Sequence, residues 1–364
     1  MEVHEICDLA AATLGGIVRD LNDSWYKEVG GKLQLKWSDK KGFAYAESDR
    51  TTSTAPDHSI TIHYDFLVEL YRRSERFYKF RESDRGIAAA NFIATSIPRY
   101  ECTHFCEQDF VRNMFMGSLT WVFFHEIGHL AQEHGAVKSR MLGLQHEFPS
   151  IFVESGDLKA GASLRELCVH HTLELAADAI STKFGMAEWI RHASDPNFIG
   201  NSQTGNVFLN GIHAYACGVT SVLYLFRPHE AANPDAPTGY HPPPIYRLQL
   251  ILPLLQEILT SSVVATHIGV STDARAAVGV VGGGAYLSAL CWMQEAAKEA
   301  TYLEGFLFEA IESRPEAIRY LGHVIPTWDE AFKIVQEVAA FPKLARAAIF
   351  SDFVRSKVAS LPPA

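Results

Sequence analysis

The chain has 364 residues, of which 48% are hydrophobic and 20% charged, and its formal net charge is −10. Such a chain is expected to be globular, with a substantial buried core in one large domain or two. The acidic balance and the absence of a dense Lys/Arg patch in the sequence argue against nucleic acid as a partner.

The cysteines and the two most apolar stretches bear on where the protein resides. Six cysteines are scattered along the chain, and acidic residues near Met1 stand where a signal peptide would be basic. This predicts a cytoplasmic protein with free thiols. The apolar stretch 211–226 is shorter than the roughly 20 residues of a spanning helix, and 276–293 contains four glycines. We expect both to be helices buried in protein, with no membrane partner.

The N-terminal part mixes helical and strand patterns. Residues 3–29 place apolar side chains at helical spacing, which predicts a first helix. Residues 32–46 alternate apolar and polar side chains around a turn, which predicts a β-hairpin. Residues 59–64 predict another strand that leads directly into a helix at 65–81. A further helix is expected at 85–95.

A long apolar run without proline follows, and it contains His125, Glu126 and His129 in the pattern His-Glu-x-x-His. Residues four apart lie on one face of a helix, so the two imidazoles can point at one metal ion. Glu126 lies beside that ion, where its carboxylate can take a proton from a bound water. A buried helix can carry this short pattern by chance, so the rest of the chain decides between the two interpretations.

The helix of this motif is predicted to run to His134 and Gly135, since glycine is a common C-terminal cap. Residues 136–160 are expected to be irregular. Before the motif, two cysteines and a histidine at 102–106 could bind metal, but a second ligand pair at suitable spacing is missing. We therefore favour core or loop for these residues.

Two carboxylates, Glu174 and Asp178, lie four apart on the next predicted helix, which begins with a capping-box pattern at 163–166. The neighbouring side chains on this helix are small and apolar. Burying a carboxylate among them is costly unless a positive or hydrogen-bonding group contacts it. Glu174 would then be a third metal ligand, and Asp178 would hold the outer nitrogen of a ligating imidazole. The alternative is a solvent-facing acidic stripe. Nearby, His170 and His171 are interpreted as ordinary surface or core histidines.

His-Glu-x-x-His followed by a Glu-x-x-x-Asp helix resembles the gluzincin metallopeptidases. The form Glu-x-x-Ala-Asp is similar to the HtpX-like and CAAX-prenyl protease family and to the Lit-type phage-exclusion peptidases. His241-Pro242-Pro243, with Arg247 six residues after the histidine, resembles a segment of the former family, and His134 resembles the Lit-type enzymes. The likeness covers residues 40–255. Clear membrane helices of the HtpX type are missing.

Two other families with the same motif fit less well. The extended motif of the metzincins needs glycine and histidine at positions where this chain has Gln132 and Gly135, which excludes them. Peptide deformylases add an upstream cysteine ligand, which Cys102 or Cys106 could supply. That interpretation stays open, but it leaves Glu174 without a role.

The gluzincin resemblance implies a mostly α-helical α+β fold, with a small antiparallel sheet in a peptidase core at 1–255. Residues 256–364 would add C-terminal helices packed on this core. Helical patterns in this half are predicted at 244–261, 276–314 and 328–341.

The same resemblance implies one Zn²⁺ per chain, held by His125, His129 and Glu174. Asp178 would lie behind a ligating imidazole, and Glu126 would be the general base.

Further site residues follow from the resemblance. His241 is the second expected catalytic residue and would stabilise the oxyanion, with Tyr240 or Tyr246 as substitutes. The strand predicted ahead of the second helix would be an edge strand that binds substrate through Ile60 and Ile62.

The expected function is therefore a zinc-dependent metalloendopeptidase acting on a protein or peptide. The alternative is a metal-stabilised binding or regulatory protein without turnover. The intact Glu126 favours the enzyme, because a structural zinc site usually closes its fourth position and needs no base.

Overall fold

In a computed structural model of the chain, the described residues are 1–49, 55–97, 106–145, 150–153, 162–193, 204–226, 234–262, 264, 274–296, 310–343 and 349–360. They are mostly helical and include one small sheet, which is an α+β arrangement. The strands are β1 (Lys32–Ser38), β2 (Ala44–Ser48), β3 (Asp57–His63) and β4 (Ser150–Val153).

The helices, in chain order, are α1 (Val3–Leu21), α2 (Tyr64–Arg81), α3 (Asp84–Ser96), α4 (Glu107–Ala131), α5 (His134–Leu142), α6 (Leu164–Ala193), α7 (Thr204–Phe226), α8 (Pro244–Thr260), α9 (Ala274–Ala296), α10 (Pro315–Val338) and α11 (Asp352–Ala359). A π-helical turn, Asn22–Tyr26, continues α1, and a short 3-10 helix, Ile311–Ser313, precedes α10.

The sheet is mixed, in the order β1-β3-β2-β4. β1 runs parallel to β3, whereas β2 pairs antiparallel with both β3 and β4. The predictions of a β1–β2 hairpin and of an antiparallel sheet are therefore wrong. The physical reason is burial: β3 is buried on both faces, while β1 is largely exposed on one. Placing β3 at the centre, paired on both edges, buries more apolar surface than a hairpin would.

This order also corrects the prediction that β3 is a substrate-binding edge strand. Both of its backbone edges are paired, and the side chains of Ile60 and Ile62 are fully buried in the core. Neither side chain can contact a substrate in this arrangement. Among the described strands, β1 and β4 are the outer ones.

α4 is the central helix of the fold. It is apolar around its whole circumference, as expected for a helix surrounded by protein, and its residues from Met114 to Ala131 are all buried. It packs against α2, α6, α7 and β2. The motif residues therefore lie deep in the protein.

The predicted end of the motif helix is also wrong. α4 ends at Ala131, and Glu133 takes a left-handed backbone conformation with φ 53° and ψ 47°. A new helix, α5, begins at His134 and continues to Leu142, into the region 136–160 that was predicted to be irregular. The glycine expected to cap the motif helix, Gly135, lies inside α5.

One helical stretch among the described residues, Phe208–Phe226, is long and apolar enough to cross a membrane, and 83% of it is buried by the surrounding protein. It packs against α4 and α9. None of the described cysteines, Cys7, Cys106, Cys168, Cys217 and Cys291, is in a disulfide bond, and Cys102 lies outside the described residues.

The C-terminal helical patterns are largely confirmed. α8 matches the prediction for 244–261, and α9 matches the first part of 276–314. α10 begins at Pro315 and not near 328, because the helix continues through Pro326. α10 packs on α6, and α9 packs on α7 and α8. The predicted boundary after residue 255 falls within α8 and stays a prediction.

Candidate metal centre

The centre is built where α4 crosses α6, and the glycine of the motif makes the crossing close. An added Cβ at Gly128 would lie 2.8 Å from the Cα of Ala177, a distance that real Cβ atoms do not show. Only the hydrogen of Gly128 and the methyl group of Ala177 lie between the two backbones at this point. The face of α4 that carries His125 and His129 therefore lies against the face of α6 that carries Glu174. This confirms that the two carboxylates of α6 are not a solvent-facing stripe, since both are buried.

Three side chains converge at this crossing. Nε2 of His125 lies 3.1 Å from Nε2 of His129, and the Glu174 carboxylate lies 3.4 Å from the first nitrogen and 3.5 Å from the second. Donors around a tetrahedral zinc ion, at about 2.0–2.1 Å from it, are separated by about 3.3 Å. The observed spacing fits, so these residues could hold a metal ion, as predicted. Their side chains are only 0–2% exposed.

Asp178 supports His125 from behind. Its carboxylate lies 3.0 Å from Nδ1 of His125. Because a carboxylate only accepts, the proton of a neutral His125 is on Nδ1, which leaves the Nε2 lone pair for a metal. Burial alone would raise the pKa of Asp178, but the charge of Arg247 and hydrogen bonds from Arg247 and His125 lower it below its ordinary value.

Arg247, on α8, completes this arrangement. Its Nε and Nη2 each donate to Asp178 at 2.7 Å, and its guanidinium lies 3.8 Å from Glu174. The side chain is fully buried. From the sequence, Arg247 was predicted to belong to the His-Pro-Pro segment, but no ion-pair partner was predicted for it. The available signal was one arginine in an apolar helix, opposite two carboxylates that needed a positive charge.

His129 is supported by a second histidine. Its Nδ1 lies 2.7 Å from Nδ1 of His134, whose Nε2 lies 2.8 Å from the side-chain oxygen of Gln132. Burial lowers the pKa of His134 to about 3, so this ring is neutral. Its one proton is on Nε2, donated to Gln132, and its Nδ1 accepts from His129. The Nε2 of His129 is thereby left as a lone pair facing His125 and Glu174.

His241 lies at the edge of the cluster. Its Nδ1 is 3.2 Å from Glu174, and its ring stacks on Phe226. Burial alone would raise the pKa of Glu174, but the charge of His241 and hydrogen bonds from His125 and His241 hold it well below its ordinary range. Glu174 is therefore a carboxylate that can serve as a ligand.

The other predicted site residues are placed as follows. Glu126 is fully buried on α4 beside His125. The hydroxyl of Tyr246 donates to the carbonyl of Pro234, 3.2 Å away. Tyr240 packs its ring on His170, 4.5 Å between centroids.

His170 and His171 stand beside the centre. Burial, followed by the charge of Lys138, lowers the pKa of His170 to about 4. His171 bridges the hydroxyl of Tyr320 and the carbonyl of Gly239, each 2.9 Å from a ring nitrogen. His171 thereby fastens the loop before His241 to α6 and is a packing residue.

Comparison of the chain with protein-family models, with curated proteins and with solved structures finds no match. Within the described residues, the structure itself supports a buried His-His-Glu cluster that could hold a metal ion. This defines a candidate metal-binding protein. Of the two cysteines and the histidine predicted at 102–106, residues 102–105 lie outside the described residues, and Cys106 is exposed and donates to Asp109.

The close helix crossing gives a first testable prediction. Gly128→Ala should lower both the melting temperature and the affinity for Zn²⁺, because the added methyl forces α4 and α6 apart and moves Glu174 away from the imidazoles. Overpacking of this kind costs about 1–3 kcal/mol. Gly143→Ala, with open space around its Cβ position, is the control: it should reduce stability through its positive φ and leave zinc affinity unchanged. Equal zinc affinity for both variants would contradict the prediction.

Proposed function

We propose that the chain is a zinc-dependent metalloendopeptidase that hydrolyses peptide bonds in a protein or peptide. The observation that supports this best is the set of three donors, His125, His129 and Glu174, at 3.1–3.5 Å from one another with Glu126 next to the first. Three protein ligands of this kind are typical of catalytic zinc sites, which keep one position for water or substrate.

The metal would supply a Lewis acid and a bound water with a pKa of about 7. Glu126 would act as the general base, taking a proton from the attacking water and passing it to the leaving amine. His241, beside Glu174, would donate a hydrogen bond to the oxyanion that develops on the scissile carbonyl.

The remaining residues of the site would hold the ligands. Asp178 and His134 keep the protons of both imidazoles on Nδ1, so that both Nε2 atoms face the same point. Arg247 would balance the negative charge of Glu174 and Asp178. We further propose that the protein acts in the cytoplasm, with neither nucleic acid nor a membrane as partner.

A second candidate is a metal-stabilised binding or regulatory protein without turnover. The observation that favours it is the burial of the donors, which are only 0–2% exposed. A peptide substrate reaches such a site only after part of the surrounding structure opens. The intact Glu126 beside the donors favours the peptidase, since a purely structural metal needs no base.

Metal content and cleavage together test the proposal. The purified chain should contain about one zinc and should cleave a fluorescently labelled, unfolded protein, with chelation abolishing both. His125→Ala combined with His129→Ala should lose the metal, whereas His4→Ala combined with His323→Ala should keep it. Full zinc in the first double variant would exclude the centre. Zinc without any cleavage by the wild type would favour the second candidate, and iron in place of zinc would indicate a different reaction.

A further inference from the structure

A buried polar network lies on the far side of the turn that follows the motif helix. The hydroxyl of Ser48 donates to Oε2 of Glu133 at 2.9 Å, and Nε2 of His58 lies 3.2 Å from Oε1 of the same carboxylate. Nδ1 of His58 lies 2.8 Å from the hydroxyl of Tyr26. All four side chains are buried. The network therefore joins β2, β3 and the turn after α1 to one carboxylate.

The direction of these hydrogen bonds follows from the carboxylate. The carboxylate of Glu133 can only accept, so His58 donates to it from Nε2. Burial, followed by the charge of Glu133, raises the pKa of Tyr26 well above its ordinary value, so its hydroxyl keeps the proton. Ser48 and His58 thus both donate to the carboxylate of Glu133.

Glu133 also has an unusual backbone. Its φ of 53° is the one positive value among the described residues other than glycine. A side chain with a Cβ disfavours this conformation, which persists where the surrounding structure fixes it. Here the two hydrogen bonds to the Glu133 carboxylate supply that constraint. The turn separates α4 from α5, so its shape decides where Gln132 and His134 point.

We infer that Glu133, held by Ser48 and His58, is a positioning residue for the metal ligand His129. The left-handed turn at Glu133 turns the side chain of His134 back onto Nδ1 of His129, with Gln132 holding the other nitrogen of His134. Ser48 and His58 of the sheet would thereby fix the orientation of His129 through Gln132, Glu133 and His134, none of which is one of the three metal donors. This inference rests on the metal centre of the proposed function, and it does not depend on peptidase activity.

Binding of Co²⁺ alone tests the inference, with the dissociation constant and the visible absorption of the bound ion as readouts. Glu133→Ala should weaken Co²⁺ binding by about 10–100-fold, as for the loss of an outer partner of a ligand, and should alter the absorption bands because His129 is no longer held. Glycine tolerates the positive φ at this position, so Glu133→Gly should weaken Co²⁺ binding less than Glu133→Ala does. Glu133→Gln should be close to wild type, because the hydroxyl of Ser48 can turn to accept from the new amide.

A double variant shows whether Glu133 acts through His134. His134→Leu should weaken Co²⁺ binding by a similar factor, and adding Glu133→Ala to it should have little further effect. Ile93→Ala, in the core on α3, is a control that lowers stability and should leave the Co²⁺ affinity and spectrum of the folded protein unchanged. If Glu133→Ala does not fold, the Co²⁺ affinities of Glu133→Gly and Glu133→Gln are compared instead, and the glycine variant should bind Co²⁺ more weakly.

The outcomes are distinct. Unchanged Co²⁺ affinity in Glu133→Ala, or losses that add fully in the double variant with His134→Leu, would overturn the inference and leave the metal centre standing. A wild-type protein that binds no Co²⁺ would overturn the metal centre, and the inference with it.

Discussion

Glu126→Gln should reduce peptide hydrolysis by roughly 10²–10⁴-fold, the range attributed to general acid–base catalysis, while zinc content and melting temperature stay close to wild type. The amide has almost the same shape as the carboxylate, so it fits the same buried position on α4. The three donors, His125, His129 and Glu174, do not include Glu126, and the metal is expected to remain. Catalysis is lost because an amide cannot accept the proton of the attacking water.

The measurement is the initial cleavage rate of a labelled unfolded protein, alongside zinc content and thermal unfolding of the same preparations. Glu107→Gln is the matched control, since it makes the same chemical change at an exposed position in the first turn of the same helix, and it should cleave at the wild-type rate. Cleavage by Glu126→Gln at the wild-type rate would mean that the base is another group. A loss of zinc in this variant would mean that Glu126 is a ligand.

The donors of the centre were predictable because their spacing is local. Two imidazoles four apart, and a glutamate on an otherwise apolar helix, lie on defined helical faces whatever the rest of the chain does. The crossing of α4 and α6 then brings those faces together, with Gly128 against Ala177. For the same reason α2 and α8 were predicted close to where the structure has them, whereas α10 begins well before the predicted residue 328.

Non-local pairing was not predictable in the same way. Nothing in the alternating pattern of β1 shows that its neighbour is β3 and not β2. Because β1 pairs with β3, Ile60 and Ile62 lie on a central strand and not on the predicted edge strand. The partner of Asp178, Arg247, is 69 residues away along the chain. The left-handed turn at Glu133 had no local signal either, because a glutamate lacks the backbone preference of glycine or asparagine.

The pair of Arg247 and Asp178 gives the second large effect, because its two charges are buried together. The guanidinium donates twice to Asp178 at 2.7 Å and lies near Glu174, and neither member of the pair has appreciable contact with solvent. Removing one partner of a buried ion pair leaves an uncompensated charge, which costs about 3–5 kcal/mol. Removing both charges of the pair leaves Glu174 as the buried carboxylate, and His241 and His125 still hydrogen-bond to it.

Arg247→Met should therefore lower the free energy of unfolding of the metal-free protein by about 3–5 kcal/mol, and adding Asp178→Asn should recover much of that loss. The recovery has a structural reason, since the side-chain oxygen of the introduced asparagine would be neutral and could still accept from Nδ1 of His125. Urea unfolding of the four proteins in the cycle measures the coupling. Arg73→Met is the control: Arg73 is also buried, but it donates to the hydroxyl and carbonyl of Ser221 and lies over the ring of Trp292, so Asp178→Asn should not rescue it. Strictly additive losses for Arg247→Met and Asp178→Asn would show that the two charges do not depend on each other.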